Sequence, residues 1–193
     1  VLVVGPWHHG GWSSTTGEKL GPIDFGSKTA AFYRAEIEFP FFERYLKDAQ
    51  LTPHAEATVF ETGANAWRTF DAWPPTTTAQ TMYVGAAGTL GTTAPKDADA
   101  FDQYLADPNR PVPYVGHVQM GMQRDYMTED QRFAATRPDV LVYQTPPLDD
   151  DLTVLGPIDV DLHVATSGTD ADFVVKVIDV FPADYPTPEW KGP

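Results

Sequence analysis

The sequence contains no cysteine. Disulfides, thiolate-bound metals and a cysteine nucleophile are therefore excluded, while the compartment stays open. It also lacks any apolar run of about 20 residues, the length a bilayer-spanning helix needs. No basic segment precedes an apolar one at the start, so no secretory leader is visible there. Basic residues are few: 13 Lys and Arg against 27 Asp and Glu give a formal net charge of −14. Such a chain repels nucleic-acid phosphates and anionic membranes, which sets both aside as partners. The same acidic excess would suit a halophilic or acid-adapted origin. Four serines occur, Ser13, Ser14, Ser27 and Ser167, and none stands in a Gly-x-Ser-x-Gly elbow. Neither Asn65 nor Asn109 begins a glycosylation sequon.

What is present fits a globular protein. At 193 residues, with 42% hydrophobic and 21% charged residues, the chain is long enough for one large domain or two small ones. It opens "VLVVGPWHHGGWS". Residues 1–4 form an unbroken apolar run, the pattern of a strand buried on both faces in a parallel sheet flanked by helices. Gly5-Pro6 ends it, and a glycine-rich stretch to residue 28 reads as a long ordered loop. Residues 29–48 then predict an amphipathic helix with an apolar stripe through Ala31, Ala35, Phe39, Phe42 and Leu46. Ser27 or Thr29 is placed to cap its start, and Pro40 predicts a kink or break inside it.

The pattern changes near residues 51–53. Short β-rich segments follow: "ATVFET", "WRTF", "TMYVG", "VLVYQT", "DLTVLG", "IDVDLHVAT" and "DFVVKVIDVF". In "IDVDLHVAT", Ile158, Val160, Leu162 and Val164 alternate with Asp159, Asp161, His163 and Ala165, as in a half-exposed antiparallel strand. Residues 85–127 are rich in Pro, Gly and Asp and read as surface loop. The expectation is the end of an α/β domain over residues 1–52, followed by an incomplete β-sandwich or jelly roll over 53–193. Both ends look truncated, and "YPTPEWKGP" closes no recognisable sandwich.

His8 and His9 fall just past the end of the first strand, where open α/β sheets gather ligands and catalytic groups. Imidazole exchanges protons near neutrality, so a base is one use and local hydrogen bonding in a turn is the other. A metal site would need Glu18 or Asp24 as third ligand, without any spaced ligand motif, so no metal is assigned. As a base in acyl transfer, a histidine requires a nucleophile and an orienting carboxylate. In α/β-hydrolases the chain order is serine, acid, histidine, which would put both partners upstream of Val1.

These residues also carry a resemblance. "LVVGPWHHGGWS" with "DFGSKTAAFYRAEIEFPFFERYLKD" resembles the histidine loop and following helix of α-amino-acid ester hydrolases. Those enzymes belong with the cocaine-esterase and X-Pro dipeptidyl-peptidase group of serine hydrolases, and glutaryl-cephalosporin acylases look similar. The likeness continues through "FETGANAWRTFDAWPP", "DPNRPVPYVG" and the blocks from "YMTEDQRFAATRPDV" to "FPADYP". It implies an α/β-hydrolase end followed by a partial C-terminal jelly roll, with the loop pattern Gly-Pro-Trp-x-His making His9 the triad base. It implies a small-molecule ester or amide substrate, α-amino-acid esters and β-lactam antibiotics among them, and no cofactor. The serine and acid would be supplied from upstream or by a companion chain, so this stretch alone is expected to be inactive. A homo-oligomer and a periplasmic or secreted location are further expectations.

Other residues have plainer readings. Trp7, His8 and Trp12 are candidate substrate-binding residues, although an indole packed beneath a tight loop is the commoner use. Asp149, Asp150 and Asp151 lack the alternating spacing of a calcium loop and read as a solvated turn. Asp170 and Asp172 read as turn and strand-start carboxylates, and His54, His117 and His163 as isolated. Arg132 is expected to pair with Asp130 or Glu129. The competing view of the whole chain is a non-catalytic sandwich that binds carbohydrate or a protein partner.

Overall fold

The computed structural model describes residues 1–97, 99–121, 124 and 126–183. The closing "YPTPEWKGP" lies outside them. The backbone forms two units, Val1–Thr153 and Val154–Pro193.

The first unit is built on a three-stranded sheet in the order β1-β4-β5, made of Leu2–Val4, Ala57–Glu61 and Ala66–Phe70. β1 runs parallel to β4, pairing Leu2 with Ala57 and Val4 with Val59. β5 returns antiparallel to β4 across a short turn, pairing Phe60 with Trp67. The sheet thus joins strands from both sides of the composition change at residues 51–53. The apolar opening run is parallel, as its pattern implied, but it is not buried on both faces. Among the described residues it pairs with β4 alone, and Leu2 and Val4 are exposed.

Between β1 and β4 lies the long loop, which contains a single helical turn, α1 (Gly11–Ser14), and a small hairpin of β2 (Lys19–Leu20) and β3 (Ile23–Asp24). Leu20 and Phe25 from this region bury against Phe60, with Trp67 packed alongside. Phe25 meets Phe60 edge-on at 5.7 Å, and Phe60 meets Trp67 at 5.3 Å. Phe32 stacks on the other side of this group, 5.3 Å from Trp67. The core is therefore an aromatic cluster on the Phe60–Trp67 face of the sheet. Arg68 and Glu61, on the opposite face, form an ion pair at 2.6 Å.

Residues 29–47 are helical throughout but not uniform. α2 (Thr29–Phe32) runs into a π-helical segment, Tyr33–Glu38, and then into α3 (Phe39–Lys47). Pro40, in the first turn of α3, has no N–H to donate, and its ring would crowd the carbonyl four residues back. The wider π turns sit where that conflict falls, which is the interruption the proline implied. Neither Ser27 nor Thr29 caps the helix with its side chain.

The inward face differs from the expected stripe. Thr29, Ala30 and Ile37 are buried, whereas Phe39 and Leu46 are 63% and 74% exposed. Buried Ala30 and Ile37, with half-buried Arg34 between them, also keep helical spacing, out of phase with the stripe chosen from sequence. Aromatic residues at 32, 39, 41 and 42 make the helix apolar on adjacent faces, so periodicity alone does not select one. A charged residue in the true face hides it further.

Past β5, the expected "TMYVG" strand appears as β6 (Tyr83–Gly85), hairpinned to β7 (Thr89–Gly91). Among the described residues, "VLVYQT" makes one bridge, Gln144 to Thr89, with hydrogen bonds to the backbone of Gly88 and Leu90 at 2.9 Å. Farther along, α4 (Arg132–Ala135) follows a 3₁₀ turn at Tyr126–Thr128. The expected Arg132–Asp130 pair is present, and Asp149–Asp151 are exposed.

In the second unit, "IDVDLHVAT" and "DFVVKVIDVF" are not in a ladder among the described residues, contrary to the strand expectation. Alternation sorts side chains onto two faces, but a strand forms only with a lateral backbone partner. Val160, Leu162, Val164, Phe173 and Val175 do share one side, lining an open apolar hollow of about 460 Å³. His163 is exposed, as its place in the alternation implied. Among the described residues, no helix is long and apolar enough to cross a membrane.

Candidate functional site

The loop leaves the C-terminal end of β1 at Gly5, and its order comes from three anchors. The first is Trp7. Its indole N–H donates to the Thr29 hydroxyl at 2.7 Å, and that hydroxyl donates to the Gly17 carbonyl at 2.6 Å. The Trp7 ring packs 5.3 Å from Tyr33 and 6.0 Å from Trp67. One indole therefore ties the loop both to the start of α2 and to the aromatic core.

The second anchor is α1. Gly10 takes a left-handed conformation with φ of 78° and starts the turn, while Ser13 and Ser14 donate their hydroxyls back to its carbonyl. Backbone freedom is thus what Gly10 contributes, and the serines are occupied locally. The third anchor is Arg34, whose Nη1 donates to the carbonyls of Trp12 at 2.6 Å and Thr15 at 2.9 Å.

Within this frame the two histidines differ. His8 is half-buried, and its Nδ1 donates to the carbonyl of His9 at 2.9 Å. A carbonyl oxygen only accepts, so Nδ1 carries the proton and Nε2 is bare in the neutral ring. The ring lies against Gly11. His9 is exposed and stands edge-on to Trp12, with ring centroids 5.8 Å apart and planes at 88°. No hydrogen bond engages its ring nitrogens among the described residues. One histidine is therefore spent on the loop, and the other presents its nitrogens.

Beside the loop is a hollow of about 370 Å³ lined by Val3, Val4, Gly5, Trp7, Trp12 and Tyr33. It brings Trp7 and Trp12 together, whereas neither histidine lines it. Burial pushes the Tyr33 phenol pKa up, and the Glu38 carboxylate adds to the shift.

The acids weighed as metal ligands are engaged elsewhere. Asp24 pairs with Lys19 at 3.1 Å, and Glu18 accepts from the Thr16 hydroxyl. The backbone N–H of Gly26, then Lys19, holds the Asp24 carboxyl below the usual range. No group of three or more His, Asp or Glu side chains converges among the described residues.

Thr29, read from the sequence as a helix cap, instead relays Trp7 to Gly17, while Arg34 and Tyr33 escaped the sequence reading. Their only signal was the polar interruption of an apolar helix face, at a phase the aromatic residues obscured.

Residues 48–190 match the family described as the X-Pro dipeptidyl-peptidase C-terminal non-catalytic domain. The chain is 36% identical over 197 residues to the cocaine esterase of Rhodococcus sp. (strain MB1 Bresler), covering 94% of this chain and 33% of that protein. Among solved structures, an aminopeptidase from a marine sediment archaeon, Thaumarchaeota archaeon, superposes with a TM-score of 0.67 at 38% identity. It covers 76% of this chain and 25% of its own. A selenomethionine-labelled α-amino acid ester hydrolase gives 0.70 at 32% identity, covering 80% of this chain and 27% of its own. The chain thus spans a third or less of these relatives. The histidine loop precedes the matched non-catalytic domain. On this combination the chain belongs to the cocaine-esterase and X-Pro dipeptidyl-peptidase family, with residues 48–190 corresponding to its C-terminal non-catalytic domain.

Proposed function

We propose that this chain supplies the histidine base of a serine hydrolase cleaving esters or amides of acyl groups, α-amino-acid esters and β-lactam antibiotics among them. The observation that carries the reading is His9: exposed, unengaged at both ring nitrogens among the described residues, and held by a loop at the C-terminal end of a parallel strand. The names of the relatives support the reaction class. His9 would take the proton of a serine hydroxyl during acylation, return it to the leaving group, and then activate water against the acyl-enzyme. The serine and the acid that orients His9 would come from outside this chain. The α/β-hydrolase and jelly-roll assignments belong to this same reading. Trp7 and Trp12 would wall the acyl pocket from the hollow they share with Tyr33.

The test is His9→Ala in the complete hydrolase that includes the serine. Turnover is expected to fall at least about 10²–10⁴-fold with folding unchanged. Activity near that of the parent would overturn the assignment. The 193-residue chain alone is expected to form no adduct with a fluorophosphonate probe.

A second reading has one observation behind it. Residues 48–190 match a domain described as non-catalytic. For that portion a binding or packing role is proposed, and deleting it would alter stability or substrate affinity without changing the nucleophile's chemistry.

A further inference from the structure

We infer that Arg34 is a positioning residue for catalysis, fixing the turn that aims His9; the inference rests on His9 being the base. Arg34 lies half-buried in the π-helical segment Tyr33–Glu38, between the buried Ala30 and Ile37. From there one nitrogen, Nη1, donates to two carbonyls of the histidine loop, Trp12 at 2.6 Å and Thr15 at 2.9 Å. Both carbonyls lie in or just past α1, a helix of one turn whose last carbonyls have no intrahelical partners. A turn this short has little cohesion of its own, because nucleating a helix costs more than its few hydrogen bonds return. Thr15 closes part of its C-terminal end through the Gly11 carbonyl, and the guanidinium takes up the carbonyls of Trp12 and Thr15.

The link to His9 runs through Trp12. The residue whose carbonyl Arg34 holds is the one whose indole meets the His9 ring edge-on at 5.8 Å. Trp7, anchored on Thr29, fixes the loop before the histidines, and Arg34 fixes it after them. Farther on, the loop is tied again at Thr16, whose carbonyl accepts from Ala30 and Ala31, and at Gly17, so without Arg34 the span between Trp7 and Thr16 comes loose, with His9 and Trp12 in it. A displacement of about 1 Å is enough to cost a reaction about 10²-fold. Among the described residues the guanidinium bonds backbone carbonyls, so its effect falls on the geometry of His9 and not on substrate binding.

The experiment is steady-state kinetics of the complete hydrolase with Arg34→Ala, Arg34→Lys and His9→Ala. Expected for Arg34→Ala is a fall in kcat of about 10- to 100-fold with KM within about twofold, partly restored by added guanidinium ion. Arg34→Lys should recover most of the rate, since a single nitrogen makes both contacts. If Arg34→Ala does not fold, the lysine variant carries the test. A purely structural role predicts loss of stability with unchanged kcat in the folded fraction and no rescue, which would overturn the inference. A silent Arg34→Ala beside an inactive His9→Ala would also overturn it while leaving the base in place. A fully active His9→Ala would overturn both.

Discussion

The indole N–H of Trp7 and the hydroxyl of Thr29 meet at 2.7 Å, and they are 22 residues apart in the chain. Thr29 is fully buried and relays the contact to the Gly17 carbonyl. One hydroxyl thus satisfies a donor and an acceptor that the loop cannot pair otherwise. Replacing it by a methyl, in Thr29→Val, keeps the shape and strands both groups. A buried unmatched polar group costs about 1–3 kcal/mol, so a stability loss in that range is expected from the urea midpoint. Thr29→Ser should retain most of the stability. A valine variant as stable as the parent would refute the relay.

Gly17 and Gly10 have nearly the same left-handed backbone, φ 75° and 78°, in different surroundings. A Cβ at Gly17 would stand 2.4 Å from the Ala30 backbone nitrogen and 2.5 Å from the Thr29 hydroxyl; at Gly10 it would meet nothing within 4 Å. Gly10→Ala therefore bears only the conformational penalty of about 1–2 kcal/mol. Gly17→Ala adds a clash with backbone that cannot yield, and should exceed it by at least about 1 kcal/mol. Thermal unfolding of the pair checks this. Equal losses would mean that the approach of Gly17 to α2 is looser than described.

How much of this was legible beforehand depended on whether partners are close in sequence. The loop after β1 was readable from Gly5-Pro6 and the glycines that follow, and the break near Pro40 from the missing N–H. β4 and β5 were readable because a five-residue hairpin strand carries its own pattern and finds its partner across a short turn. The pairing of β1 with β4 was not, because it joins Leu2 to Ala57 and no local pattern states a long-range register. The same limit applies to Trp7–Thr29 and to Arg34 with Trp12 and Thr15. In residues 158–166 the alternation foretold which side chains share a side, and Val160, Leu162 and Val164 do. It said nothing about whether a neighbouring backbone would pair with them.

Tyr143 gives an alkaline test. Its hydroxyl donates to Asp102 at 2.7 Å, and burial followed by that carboxylate pushes the phenol pKa up to about 12. An ordinary phenol titrates near about 10. The folded state thus holds this proton more tightly than the unfolded one. The contribution is fully present below pH about 10 and is lost as pH climbs toward about 12. Urea unfolding between those values should show stability declining, and Tyr143→Phe should remove part of the decline. The phenolate absorbance difference between parent and variant should rise near pH 12. A rise near about 10 would mean the Asp102 contact is absent in solution.

His8 and His9 are adjacent, and their surroundings predict opposite consequences for the same substitution. His8 donates to the His9 carbonyl from Nδ1 and packs on Gly11, so His8→Ala removes a local loop contact. His8→Asn offers an amide donor near the same place. In the complete hydrolase, His8→Ala should lower kcat by less than about 10-fold, and His8→Asn by less still, because neither touches the exposed imidazole of His9. If His8→Ala instead abolished turnover while His9→Ala did not, the base would be the half-buried ring. Its bare Nε2, rather than His9, would then be the atom facing the serine.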